Sequence, residues 1–118
     1  MNSRAKGRRT EAKAVEYAMT FPGVRVLKWY QLNTRFHTST DQVFDLLVLR
    51  DQYWPRFVEV RTNQWGLSKP QTKSLASLPG EGYFKQVWLW RDGESMPKLR
   101  QWDDGTWLYQ HEPWESAT

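Results

Sequence analysis

Two acidic residues stand where the surrounding sequence is apolar. Asp45 lies between Phe44 and the run Leu46-Leu47-Val48-Leu49, and Glu59 lies inside Phe57-Val58-Glu59-Val60-Arg61. Removing an ionised carboxylate from water without a partner costs on the order of several kcal/mol. A strand of this kind keeps its acid for a salt bridge, a raised pKa or a bound cation. The short connection over 50–55 predicts two adjacent antiparallel strands. Alternation along a strand puts Glu59 and Arg61 on one face. If Asp45 shares that face, two carboxylates and one cation converge. Neighbouring acids repel, and a divalent ion relieves the repulsion. The chain has no cysteine and only 2 histidines, so the donors are oxygens and suit Mg²⁺ or Mn²⁺. Equally open from spacing alone is that Arg61 simply pairs with Asp45 or Glu59. The polar segment 62–68 contains Gly66, where a substrate backbone can approach closely.

Regular elements must position these groups. Ser3 to Met19 predicts a helix, with Ala12, Val15, Ala18 and Met19 on one weakly apolar face and Glu11 near it. Phe21-Pro22-Gly23 stops it. Val24 to Gln31 and Val43 to Leu49 predict strands, the second with Asp45 in its middle, and 33–41 predicts a polar loop. Arg56 to Thr62 is the next strand. Lys69 to Leu78 predicts a second helix, with Ser68 as N-cap and Pro70 in its first turn. Gly82 to Trp90 predicts a strand and Asp92-Gly93 a turn. Leu99–Trp102 and Thr106–Gln110 predict a hairpin around Asp103-Asp104-Gly105. The expected fold is α/β, a mixed central sheet with flanking helices. Residues 1–112 form the expected domain, and 113–118 a loosely packed tail.

Composition narrows the function. The 118 residues fit one domain that needs no disulfide staples. The absence of cysteine excludes thiolate metal sites and thiol nucleophiles. No apolar run is long enough for a membrane-spanning helix, and the basic N-terminus lacks a secretory core, so a cytoplasmic location is expected. The balance of 17 Lys and Arg against 13 Asp and Glu gives a net charge of +4, which suits a polyanionic partner as well as plain solubility. Tryptophan, at 8 residues, serves either the core or the stacking of bases.

The run Phe44-Asp45-Leu46-Leu47 followed by Phe57-Val58-Glu59-Val60-Arg61-Thr62-Asn63 resembles the PD-(D/E)xK nucleases. It is most similar to the archaeal-type Holliday junction resolvases, which also open on a helix of the form Lys-Gly-x-x-x-Glu. Here that stretch is Lys6-Gly7-Arg8-Arg9-Thr10-Glu11. The likeness covers about residues 4–90 and implies a restriction-endonuclease-like fold. It implies that Glu11 assists metal or water binding, and that Asp45 and Glu59 ligate the metal with the Val60 carbonyl as a third oxygen. Asp41 is a weaker alternative ligand. Gln71 or Lys73 would take the family's place for a polar residue on the following helix. Arg61 stands where the family has lysine. Arginine stabilises phosphate charge but does not accept a proton.

The resemblance implies metal-assisted hydrolysis of phosphodiesters in branched DNA, in recombination or repair, by a homodimer. The aromatic surplus of the last third could supply the dimer patch. Arg4, Lys6, Arg8, Arg9, Arg35 and Lys69 would contact phosphates without reading sequence. His37 and His111 are isolated and are read as ordinary loop residues. Two other readings stay open: a DNA-binding module that lost activity, and an assembly protein that reuses the fold.

Overall fold

The computed structural model describes residues 3–28, 44–65, 83–103 and 105–115, with side chains of the first helix from Arg9 onward. Helix α1 spans Ser3–Ala18. Its last turn closes through Met19 N–H to the Val15 carbonyl at 3.0 Å and Thr20 Oγ1 to the Tyr17 carbonyl at 2.6 Å. Gly23, at φ +76°, then turns the chain into the sheet, a conformation that glycine adopts without a Cβ clash.

The strands are β1 (Val24–Lys28), β2 (Leu46–Arg50), β3 (Arg56–Thr62), β4 (Phe84–Trp90), β5 (Lys98–Asp103) and β6 (Thr106–Gln110). They form one sheet in the order β1-β2-β3-β4-β5-β6. Neighbours are antiparallel except β3 and β4, which run parallel from Arg56↔Phe84 to Thr62↔Trp90. Parallel neighbours require a crossover connection. The predicted second helix, with Lys69, Gln71 and Lys73, falls between these strands and lies outside the described residues. Arg35, His37, Asp41, Gly66 and Ser68 lie outside them too. The fold is therefore α/β, with a six-stranded mixed sheet and, among the described residues, one helix.

The β5–β6 hairpin turns at Gly105 (φ +91°), and Gly93 (φ +83°) occupies the preceding predicted turn. Asp45 departs from expectation. It precedes β2 instead of lying at its centre, because the ladder slips there. The register pairs Leu46 with Val58, yet Asp45 N–H also donates to the Val58 carbonyl, at 2.9 Å.

The main core lies between α1 and one face of the sheet. Ala14 and Ala18 bring the helix close to Leu46, Val48, Val58, Trp88, Trp90 and Leu99. Tyr17 meets Trp88 and Trp90 edge-on, at 5.5 and 6.0 Å between centroids. A smaller cluster of Phe44, Phe57, Trp102 and Trp107 lies apart from it. The aromatics expected at a dimer patch are thus partly committed elsewhere, since Trp88, Trp90 and Trp114 are core residues.

The loosely packed tail does not begin at residue 113. Trp114 is 4% exposed and belongs to the main core, and Pro113 is fully buried. Both are held by Arg56, itself buried. Its Nε donates to the Pro113 carbonyl at 3.0 Å, a second nitrogen donates to the Trp54 carbonyl, and the guanidinium stacks on Tyr53, Phe84 and Trp114. Burial lowers the Arg56 pKa to about 10, which leaves it charged at neutral pH. Cation–π contacts compensate a desolvated guanidinium in this way. Trp114→Ala is therefore expected to destabilise the fold by about 3–5 kcal/mol, the range for emptying a large aromatic site. Denaturant unfolding of the variant beside the unaltered protein measures it, and a change below about 1 kcal/mol would contradict this packing.

Candidate active site

Asp45, just before β2, links the residues singled out from the sequence: Glu11 on α1 and Arg61 on β3 act on it, and it acts on Glu59 of β3. Val58 and Val60 pack toward α1, so alternation sends Glu59 and Arg61 to the opposite face of β3. Asp45 grips both neighbours of Glu59. Its N–H donates to the Val58 carbonyl, and its Oδ2 accepts the Val60 N–H at 2.8 Å. The carboxylate takes the place of a ladder carbonyl where the strands slip. Local slips of this kind re-aim side chains and occur next to active sites.

The electrostatics follow from that placement. Glu59 is 7% exposed. Burial, and next the negative charge of Asp45, push its pKa up to about 9, against a smaller opposing pull from Arg61. Asp45 is raised to about 6, first by burial. The Val60 N–H and Arg61 oppose that rise, and Glu11 adds to it. Glu59 therefore lies in the field of Asp45, and without a counter-cation the pair retains one proton at neutral pH, on Glu59.

Glu11 is placed by a residue the sequence reading missed. Lys28 Nζ stands 3.6 Å from Glu11 Oε1, and Lys28 pairs in register with Leu46, next to Asp45. A strand-end lysine carries no signal in sequence until β1 is known to lie beside β2. The hydroxyls of Thr10 and Thr62 meet at 2.8 Å and tie α1 to the end of β3. Arg61 does not pair with either acid among the described residues. Its Nε instead donates to the Gln64 carbonyl at 3.3 Å, holding the turn beyond β3. That turn is also fixed by Asn63, at φ +66°, whose side chain exchanges hydrogen bonds with Asp92 at 2.8 and 3.1 Å.

No family model, no curated protein and no solved structure matches this chain.

The donor set suits a hard cation: two carboxylates, with no sulfur or imidazole among the gathered residues. Among the described residues no group of three His, Cys, Asp or Glu is placed to hold a metal by itself. The pair would thus supply two protein ligands and leave other positions to water or substrate. Val60, expected to offer a carbonyl, is seen through its N–H bond to Asp45. Of the expected phosphate contacts, Arg9 is exposed on α1, whereas the side chains of Arg4, Lys6 and Arg8 lie outside the described residues. His111 is exposed in the bend that follows β6 and lies outside the cluster.

Proposed function

We propose that the chain is a metal-dependent endonuclease of the PD-(D/E)xK type, with a restriction-endonuclease-like fold, acting on branched or otherwise structured DNA. The observation that carries the reading is a buried carboxylate, Glu59, in the field of a partly buried one, Asp45, with Arg61 near both and Glu11 near Asp45. The order of elements agrees with it: a helix, three antiparallel strands, then a strand parallel to the third. A pair that keeps a proton in the absence of a cation is a pair from which a divalent ion would displace it.

Mg²⁺ or Mn²⁺ held by Asp45 and Glu59 would polarise the scissile phosphate and acidify a water. The chain's own residues have separate tasks. Asp45 stays fixed by the Val60 N–H, so its free oxygen has one direction. Glu59 would hold the cation as a carboxylate, having released the proton it carries at neutral pH. Glu11, held by Lys28, adds negative charge on the α1 side. Arg61 neutralises charge that develops on the phosphate. Basic residues of α1 meet neighbouring phosphates, and a homodimer would present two such sites to the two strands of a junction.

Arg61 also favours a second reading, a DNA-binding protein that no longer cuts, because guanidinium does not accept the proton of an attacking water. Cutting of labelled four-way junction, flap and duplex DNA with Mn²⁺ separates the two. Arg61→Lys is expected to cut at least as fast as the unaltered protein, and Arg61→Ala to be slower by about 10²–10³-fold, the usual loss of a charge-stabilising donor. No cutting by any of the three proteins, with DNA bound, would leave the second reading standing.

A further inference from the structure

The face of the sheet that carries Glu59 continues into a second feature. In register, Glu59 pairs with Val87, Val87 with Arg100, and Arg100 with Tyr109. Paired residues point to the same side of a sheet, so the four form one row across β3, β4, β5 and β6. The next row holds Arg61, Leu89 and Lys98.

Arg100 in this row is held by rings. Its guanidinium lies 4.1 Å from the Trp65 centroid and 4.5 Å from that of Tyr109, and it bonds the Tyr109 hydroxyl. Its Nε is buried and has no hydrogen-bond partner among the described residues. Trp65 and Tyr109 themselves meet edge-on at 6.3 Å. Trp65 follows Gln64, whose carbonyl Arg61 holds, so the turn that Arg61 fixes also delivers Trp65 to this stack. Tyr109 is 69% exposed, the largest exposure among the large hydrophobic residues described as exposed. One side of its ring rests on a cation, and most of the side chain faces solvent.

An exposed aromatic backed by a partly buried cation, on the strand at the sheet's edge, has the form of a base-stacking platform. Burial of an apolar core does not account for it, since β6 is mostly exposed. Its place relative to the acids is informative. Three inter-strand spacings of about 4.8 Å separate Glu59 from Tyr109, or roughly 14 Å. Val87, between them in the row, is 2% exposed, so a strand reaches both places around this face and not across it.

We propose that Tyr109, backed by Arg100 and Trp65, stacks an unpaired base of the single-stranded DNA whose phosphate is held at Asp45 and Glu59. The proposal rests on the DNA-processing reading above and narrows its substrate class to DNA with a single-stranded or splayed segment. Lys98, exposed in the adjoining row, lies where it would meet the backbone of that segment. Stacking tolerates any base, so the platform selects unpaired structure and not sequence.

The test is equilibrium binding, by anisotropy, of labelled oligothymidylate and of a fully paired duplex of equal length, in EDTA so that nothing is cut. Tyr109→Leu keeps the bulk of the strand residue and removes the ring, and Tyr109→Phe keeps the ring. The leucine variant is expected to bind single-stranded DNA roughly tenfold more weakly, with duplex binding altered by less than about twofold, and the phenylalanine variant to bind like the unaltered protein. Equal losses on both DNAs, or no loss on either, would overturn the platform. The readout is independent of catalysis. A protein that cuts junctions while its leucine variant binds single strands normally loses the platform alone. A protein that never cuts yet shows the ring-dependent preference loses the nuclease reading alone.

Discussion

Asp45→Asn is expected to lower DNA cutting by about 10³-fold or more while leaving the fold intact. A metal ligand supplies several kcal/mol of transition-state stabilisation, and about 4 kcal/mol corresponds to 10³ in rate. Asparagine preserves the rest of the site. Its carbonyl oxygen can still accept the Val60 N–H that Asp45 Oδ2 accepts at 2.8 Å, so the slipped pairing of β2 with β3 survives. Alanine would be a poorer probe. It would leave that N–H without its acceptor, at a cost of about 1–3 kcal/mol, and confuse instability with lost chemistry. Initial rates on a labelled junction, beside thermal unfolding of both proteins, measure the effect. An Asp45→Asn protein that cuts within about tenfold of the unaltered rate would remove Asp45 from the site.

The second large effect is on stability in the absence of metal. Burial raises both acids, Asp45 to about 6 with a smaller push from Glu11, and Glu59 to about 9 with a further push from Asp45. Both acids bind protons more tightly in the folded than in the unfolded chain. Their contribution is therefore fully present below the ordinary carboxyl range near pH 4, and is lost as pH rises through about 6 and then about 9. Glu59→Gln removes the ionisation of Glu59. Relative to this variant, the unaltered protein is expected to lose on the order of a few kcal/mol between about pH 5 and pH 9. Mn²⁺ at about 100 times its Kd should restore about 2.7 kcal/mol at pH 8, and should do so only where Glu59 is present. Unfolding curves at several pH values, with EDTA or Mn²⁺, check both parts. A difference between the two proteins that is flat with pH would show that Glu59 is not buried beside Asp45.

Much of this site was legible in the sequence because its signal is a conflict. An acid in an apolar strand opposes local preference, and Asp45 and Glu59 both did so. The strand containing Glu59 matches its expected bounds, Arg56–Thr62, because a β-prone apolar run there is closed by a turn on each side. Asp45 was misplaced by position because a slip in register leaves no mark on the hydrophobic pattern, while its side-chain bond to Val60 is a tertiary event. Lys28 was invisible for the same reason. The aromatics were partly misread. Trp88 and Trp114 look alike in sequence to Tyr109, and only packing separates core rings from the exposed one. Pro113 and Trp114 were assigned to a tail because a chain terminus usually packs poorly. The buried guanidinium of Arg56, which bonds one and stacks on the other, lies far from them in sequence.

The account's central claim is that Asp45 and Glu59 form one divalent-metal site. Calorimetric titration of Mn²⁺ into the protein at about pH 8, repeated in buffers of different ionisation enthalpy, addresses it most directly. The account predicts one Mn²⁺ per chain, bound with release of a proton because Glu59 is still largely protonated at that pH. It predicts that Asp45→Asn and Glu59→Gln each abolish the binding. No binding by the unaltered protein, alone or with junction DNA, or binding that persists in both variants, would contradict it.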